Sequence, residues 1–194
     1  MSIISRLKKP LHHAHSQGYP EKIKDPLKES GHQSGKTVCR KTCIDYGPDG
    51  IVEQSITDIN AFFSAPRPEC SHVRWIRVIG TPDAEFLHAL GERYHFHPLA
   101  LEDLIQIPQR PKVDTYTEDK KHSYLAVIAS APSMHEKRVR SQQLSIFASK
   151  KLVVSFQEYE EATVDRIQDR LKVPSSRLRS CKGDFLMYCL LDQA

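Results

Sequence analysis

Residues 73–94 read VRWIRVIGTPDAEFLHALGERY, a strand-like run, a break and a helix-like run in succession. Val73 to Ile79 is rich in β-branched and aromatic side chains and stops at Gly80, as a strand followed by a break does. Thr81 then stands where a helix wants its N-cap, Pro82 takes the first helical position, and Asp83 and Glu85 fall in the first turn. Phe86, Leu87, Leu90 and Tyr94 recur at helical spacing, so the helix is expected to pack through that stripe.

The neighbouring segments continue the alternation of element types. Upstream, Val38 to Tyr46 and Ile51 to Ser55 flank Gly47-Pro48-Asp49-Gly50, a turn cluster that predicts a hairpin. Thr57 to Ser64 predicts a short helix capped by Thr57, and Pro66 and Pro68 break the chain after it. Downstream, His97-Pro98 restarts a helix over Pro98 to Gln106, which Pro108 and Pro111 end. Val113 to Tyr116, Ser123 to Ser130, Gln142 to Ser149 and Leu152 to Gln157 are strand-like. In the third of these, Leu144, Ile146 and Ala148 alternate with Ser145, Phe147 and Ser149, which predicts one better buried face. Glu160 to Lys172 is a charged helix with the stripe Val164, Ile167 and Leu171, and Pro174 to Lys182 is expected to be a basic loop. Gly183 to Ala194 is apolar nearly all round and carries no C-cap signal, which predicts a truncated chain.

Charge divides the chain. Residues 1 to 41 hold nine basic and three acidic side chains, a balance of +6; with +4 for all 194 residues, the remainder carries −2. The folded part therefore lacks the basic excess of a phosphate-binding face, and no nucleic-acid partner is expected. Residues 1–37 lack a sustained apolar period and are expected to be a disordered, basic, His-containing arm; residues 38–194 are expected to form one domain. No apolar run approaches the roughly 18 residues that cross a bilayer, and the start is too short in apolar residues for a secretory signal. Five cysteines without regular spacing read as reduced thiols of a soluble, cytoplasmic chain.

Most motif-like features dissolve on inspection. Gly31 to Thr37 reads GHQSGKT, one residue short of a phosphate-binding loop and with no strand before it. His12, His13 and His15 on a flexible arm make an unselective metal site at best. Cys39 and Cys43 have no second ligand pair and read as packing thiols. His97 before Pro98 is read as a helix cap. No nucleophile and base grouping stands out, so an enzyme is the least supported reading. The informative stretch is Pro98 to Gln106: at about 100° per residue, Ala100, Leu101, Leu104 and Ile105 form a buried side, and Glu102, Asp103 and Gln106 the other, with Leu99 stranded among them. Adjacent carboxylates beside an exposed Leu are a solvated face by default, yet carboxylate oxygens also suit Mg²⁺ or Ca²⁺ if a partner supplies further ligands.

Six blocks, in order, carry a resemblance. Trp75-Ile76-x-Val78-x-Gly80, Leu90-Gly91-Glu92, His97-Pro98-Leu99-Ala100-Leu101-Glu102-Asp103, Gln109-Arg110-Pro111-Lys112-Val113, Ser155-Phe156-Gln157-Glu158 and Asp184-Phe185-Leu186-x-Tyr188-x-Leu190-x-Asp192 together resemble the N-terminal cytosolic domain of the CorA magnesium and cobalt transporters. The resemblance spans about residues 40 to 194. It implies an α/β (α+β) fold, a mixed β-sheet covered by helices on both faces. It further implies one fifth of a pentameric funnel on the cytosolic side of the membrane, with Mg²⁺ (or Co²⁺) between neighbouring domains as the regulatory ligand. In that pattern the metal-binding carboxylate falls on Asp103, while Glu102 and Asp192 match a second nearby site; a further acidic ligand belongs to a stalk helix of the adjacent subunit. The family's stalk, membrane helices and Gly-Met-Asn signature have no counterpart in these residues, so transport by this chain alone is not expected. The cytosolic domain of a related zinc transporter, and a stand-alone interaction module or pseudo-transporter remnant, are the alternatives.

Overall fold

The computed structural model describes residues 39–117, 123–135, 138–160 and 162–193. Residues 1–37, with His12, His13, His15 and the GHQSGKT segment, lie outside them. Among the described residues thirteen elements follow one another: β1 (Arg40–Gly47), β2 (Gly50–Ser55), α1 (Ile59–Ser64), β3 (Val73–Ile79), α2 (Ala84–Tyr94), α3 (Pro98–Ile105), β4 (Lys112–Thr117), β5 (Ser123–His135), β6 (Arg138–Ala148), β7 (Leu152–Gln157), α4 (Ala162–Lys172), α5 (Arg177–Ser180) and α6 (Gly183–Asp192). The seven strands form one sheet in the order β2-β1-β3-β7-β6-β5-β4. Only β3 and β7 run parallel; the remaining pairs are antiparallel. The sheet is mixed, as the family resemblance implied.

Helices cover both faces. On one, α1, α2 and α3 pack Phe62, Phe86, Leu90, Leu101 and Leu104 against Ile76, Val78 and Phe147. On the other, α4, α5 and α6 pack Val164, Ile167, Leu171, Leu178, Leu186 and Leu190 against Ile44, Trp75 and Ile146. This double cover corrects the expectation of one better buried face on β6: Ser145 and Phe147 are as buried as Leu144 and Ile146, because each set points into its own core. It also explains why every position of β3 is buried. Trp75 faces one core and donates its indole N–H to Ser155 Oγ at 2.9 Å, while Ile76 and Val78 face the other. No helix among the described residues is long and apolar enough to cross a membrane.

Local expectations shift where a stronger hydrogen-bonding partner lies nearby. The cap of α1 is Asp58, not Thr57: its carboxylate accepts from Asn60 N at 2.8 Å and Ala61 N at 3.0 Å. Asp83, not Thr81, caps α2, accepting from Phe86 N at 2.8 Å. Burial alone would raise the Asp83 carboxyl, but hydrogen bonds from Lys41 and the backbone outweigh it and hold the group below its ordinary range. Asp83→Ala is therefore expected to cost about 1–2 kcal/mol in urea unfolding, from the lost cap with a small addition for the exposed Lys41 pair, whereas Thr81→Ala changes stability by under about 0.5 kcal/mol. The two losses coming out equal would return the cap to Thr81.

Helix α4 starts at Ala162 rather than Glu160, since the Glu160 carboxylate accepts two hydrogen bonds of 2.8 Å from the Arg40 guanidinium. The segment expected as a loop before α6 contains α5, pinned by fully buried Leu178 and by Arg179, which donates to the Gly47 carbonyl at 3.0 Å. Strands β5 and β6 run further than expected, paired from Leu125↔Ala148 out to His135↔Arg138. All five cysteines are free thiols. Burial, with Asp45 nearby, pushes the Cys43 thiol up to about 12, which suits a packing role.

Candidate cation site on helix α3

Helix α3 is positioned by its first two residues. His97 Nδ1 accepts from Leu99 N at 3.2 Å, the capping role read from sequence, and Pro98 presets the first helical φ. His97 N in turn donates to the Tyr124 hydroxyl at 2.8 Å, tying the helix start to β5. Ala100, Leu101 and Leu104 are buried as expected, and Leu99 is 61% exposed; the Ile105 side chain lies outside what the structure describes. Glu102 is exposed and accepts from Gln106 Nε2 at 2.9 Å.

Asp103 is the half-buried member of the pair. Its Oδ2 lies 2.5 Å from Lys112 Nζ, and the same ammonium lies 3.6 Å from Asp114 Oδ2. Two carboxylates, one from α3 and one from β4, thus flank a single positive charge. The hydrogen bond to Asp103 is the main reason the Lys112 ammonium titrates above its ordinary range, with the charges of Asp103 and Asp114 adding to it. The cavity behind these side chains measures only about 10 Å³, so any ion meets them from the solvent side.

Asp192 lies elsewhere. It ends α6, whose buried face is Leu186, Cys189 and Leu190. On the stripe of Phe185, Tyr188 and Asp192, Phe185 is half-buried against the core, while Tyr188 is 58% exposed and Asp192 exposed as well. The end of that stripe which carries Asp192 therefore faces solvent, and burial does not oblige its carboxylate to find a partner. Helices α3 and α6 pack on opposite faces of the sheet. One chain accordingly does not bring Asp103 and Glu102 to Asp192, and among the described residues no three His, Cys, Asp or Glu side chains group to hold an ion. Lys112 and Asp114, which the structure adds to Asp103, had one sequence signal: Lys112 lies in the Gln109-to-Val113 block, at the head of a strand that alternates outward and inward.

Comparison with known proteins agrees with this architecture. The family model for the CorA-like Mg²⁺ transporter protein matches residues 71–193. The cobalt/magnesium transport protein CorA of Thermotoga maritima is 28% identical over 149 residues, covering 77% of this chain and 41% of the relative. A putative metal ion transporter of Bacillus subtilis, YfjQ, is 30% identical over 119 residues, 61% of this chain and 34% of the relative. The soluble domain of CorA from Methanocaldococcus jannaschii superposes with a TM-score of 0.54 at 19% identity, over 80% of this chain and 54% of that one, a likeness of fold. The chain spans less than half the length of the curated relatives it matches. Its mixed sheet is that of the CorA soluble domain, and the chain belongs to the family of CorA-like Mg²⁺ transporters.

Proposed function

We propose that this chain is the cytosolic divalent-cation-sensing domain of a CorA-like magnesium and cobalt transporter, acting without catalysis. One observation carries the reading: Asp103 and Asp114 already flank a cationic position at the open side of α3, held by the Lys112 ammonium. Carboxylate oxygens are the donors that Mg²⁺ prefers, and a dication competing with Lys112 gains more from two carboxylates than a single ammonium does. Because α3 and α6 lie on opposite faces, Glu102 and Asp103 of one protomer and Asp192 of another would complete a site only across a seam between copies. Such a seam fits the pentameric ring at the membrane that is proposed for the whole protein. Metal bound there favours the packing in which the seam is closed, which is what a concentration sensor requires. Ion conduction is assigned to the part of the relatives that this chain does not span.

The test is thermal melting of the chain in MgCl₂. At tenfold excess over Kd, one site adds about 1.4 kcal/mol, which raises Tm by about 3–6 °C in a domain of this size. Asp103→Ala is expected to abolish most of the rise. Lys112→Met should lower the metal-free Tm, by leaving two carboxylates unneutralised, and enlarge the Mg²⁺-dependent rise. An unchanged Tm in wild type and Lys112→Met alike would count against sensing. A zinc-selective rise that survives Asp103→Ala and disappears with the histidines would favour the zinc-transporter reading.

A further inference from the structure

Away from the carboxylates of α3, the structure holds a cleft of about 310 Å³ where the starts of β5 and β7, the turn between β6 and β7, and the end of α2 meet. Its rim carries Arg67, Arg93 and Lys151, and among the described residues no carboxylate lines it. Three cationic residues thus line one cavity of a body, residues 38–194, whose net charge is zero.

Their local neutralisation is incomplete. The Arg67 guanidinium donates to Ser71 Oγ at 2.7 Å and stands 3.6 Å from Asp45, a carboxylate already committed to Arg74. Arg93 lies 5.9 Å from the centroid of the Phe63 ring. Lys151 is exposed and has no carboxylate partner among the described residues. The floor is apolar and aromatic: Phe96 contacts Phe147 at 4.7 Å and Tyr124 at 4.9 Å between ring centroids. Half-buried Tyr94 adds ring surface at the wall, and Ser123 and Ser149 add hydroxyls.

A ligand that satisfies all of this has a planar apolar part, hydroxyls and a strongly anionic end. Guanidinium and ammonium groups favour phosphate through charge-assisted hydrogen bonds, and the aromatic floor favours a flat ring. The volume is at the small end of ligand pockets, enough for a mononucleotide and too little for an oligonucleotide. We infer that this cleft binds a nucleoside phosphate, its base against Tyr94 and the aromatic floor and its phosphates between Arg93, Arg67 and Lys151. This site is independent of the cation site on α3.

The experiment is calorimetric titration of the full chain with ATP in EDTA, which keeps the outcome separate from any metal response. Saturable binding at one site is expected, with Kd between about 10 µM and 1 mM. Tripolyphosphate, which lacks the ring, should bind at least about tenfold more weakly. Arg93→Glu and Lys151→Glu replace exposed side chains, so both variants should melt near the wild type while weakening ATP about tenfold or more. Lys150→Glu, the same charge change one residue away and outside the cleft, should alter Kd by less than about twofold. No saturable heat up to about 10 mM ATP overturns the inference. So does tripolyphosphate binding as tightly as ATP, which marks an ion-attracting surface only, or an equal loss in Lys150→Glu and Lys151→Glu.

Discussion

Asp45→Ala is expected to destabilise the domain by about 3–5 kcal/mol, the cost of leaving a buried charge without its partner. Asp45 and Arg74 are both within a few per cent of full burial, on the adjacent strands β1 and β3. Arg74 donates from Nε to Oδ1 at 2.9 Å and from NH2 to Oδ2 at 2.7 Å, and the Ser71 hydroxyl donates to Oδ1 as well. The guanidinium also lies 4.7 Å from the centroid of the Phe62 ring, so little water is at hand to solvate it once the carboxylate is gone. Against a usual domain stability of about 5–15 kcal/mol, the loss removes a large share of the total. Replacing both partners by apolar residues, Asp45→Leu with Arg74→Met, should recover most of it, because no charge is then stranded. Urea unfolding of the single and double variants decides the matter; a double variant no better than Asp45→Ala would mean that shape, not charge, governs the site.

The same pair fixes a pH dependence. Burial by itself would raise the Asp45 carboxyl, but the hydrogen bonds from Arg74 and Ser71 and the charges of Arg74 and Arg67 outweigh it, so the group titrates below its ordinary range. A carboxyl depressed in the folded state contributes stability that is present above its unfolded value of about 3.9 and is lost as pH falls through the lower folded value. Wild-type stability should therefore drop more steeply on acidification below about pH 4 than that of the double variant, which lacks the group. Parallel curves for the two proteins would remove Asp45 from the acid response.

Gly183→Ala should destabilise by about 1–3 kcal/mol, although alanine is the better helix former. A Cβ on Gly183 would sit 2.3 Å from the Ser149 carbonyl oxygen and 3.2 Å from Val153 Cγ2. The first contact is with backbone and cannot be relieved by a rotamer change. Gly183 N meanwhile donates to the Lys150 carbonyl at 3.0 Å, which fixes the separation of α6 from the β6–β7 turn. The propensity gain is at most about 1 kcal/mol, so the clash decides the sign. Relief of the clash would tilt the start of α6, and that helix carries Asp192 at its far end. Urea unfolding measures the loss, and a stabilised variant would show that the β6–β7 turn yields easily.

The Val73–Ile79 strand and the Leu152–Gln157 strand are found where their β-branched runs placed them. The stripe Val164, Ile167 and Leu171 is buried as its spacing predicts. The caps were misplaced by one or two residues because Thr and Asp stood close together and both accept hydrogen bonds; only the backbone path shows which oxygen reaches the free N–H groups. Of the candidate site, Glu102 and Asp103 were readable as the outward side of α3, since 100° per residue fixes which side chains share a face. Lys112 and Asp114 were not, because their approach to Asp103 depends on how β4 lies beside the helix. Asp192 was read on an apolar stripe; in the structure Leu186, Cys189 and Leu190 form the buried face of α6, and Tyr188 and Asp192 are left exposed.

Near neighbours along the chain are enough to set the strand and helix periods, the Gly47-to-Gly50 hairpin, the cap at His97 and the six blocks that mark the family. Folding of the whole chain settles which strands pair, with β3 beside distant β7, and which buried charges answer each other, as Arg74 answers Asp45. It also puts Asp103 and Asp192 on opposite faces of the sheet, and Arg67, Arg93 and Lys151 around one cleft. The reason is range: local patterns are set by rotation per residue along the chain, whereas the distance between remote side chains exists only once two cores have closed on the sheet.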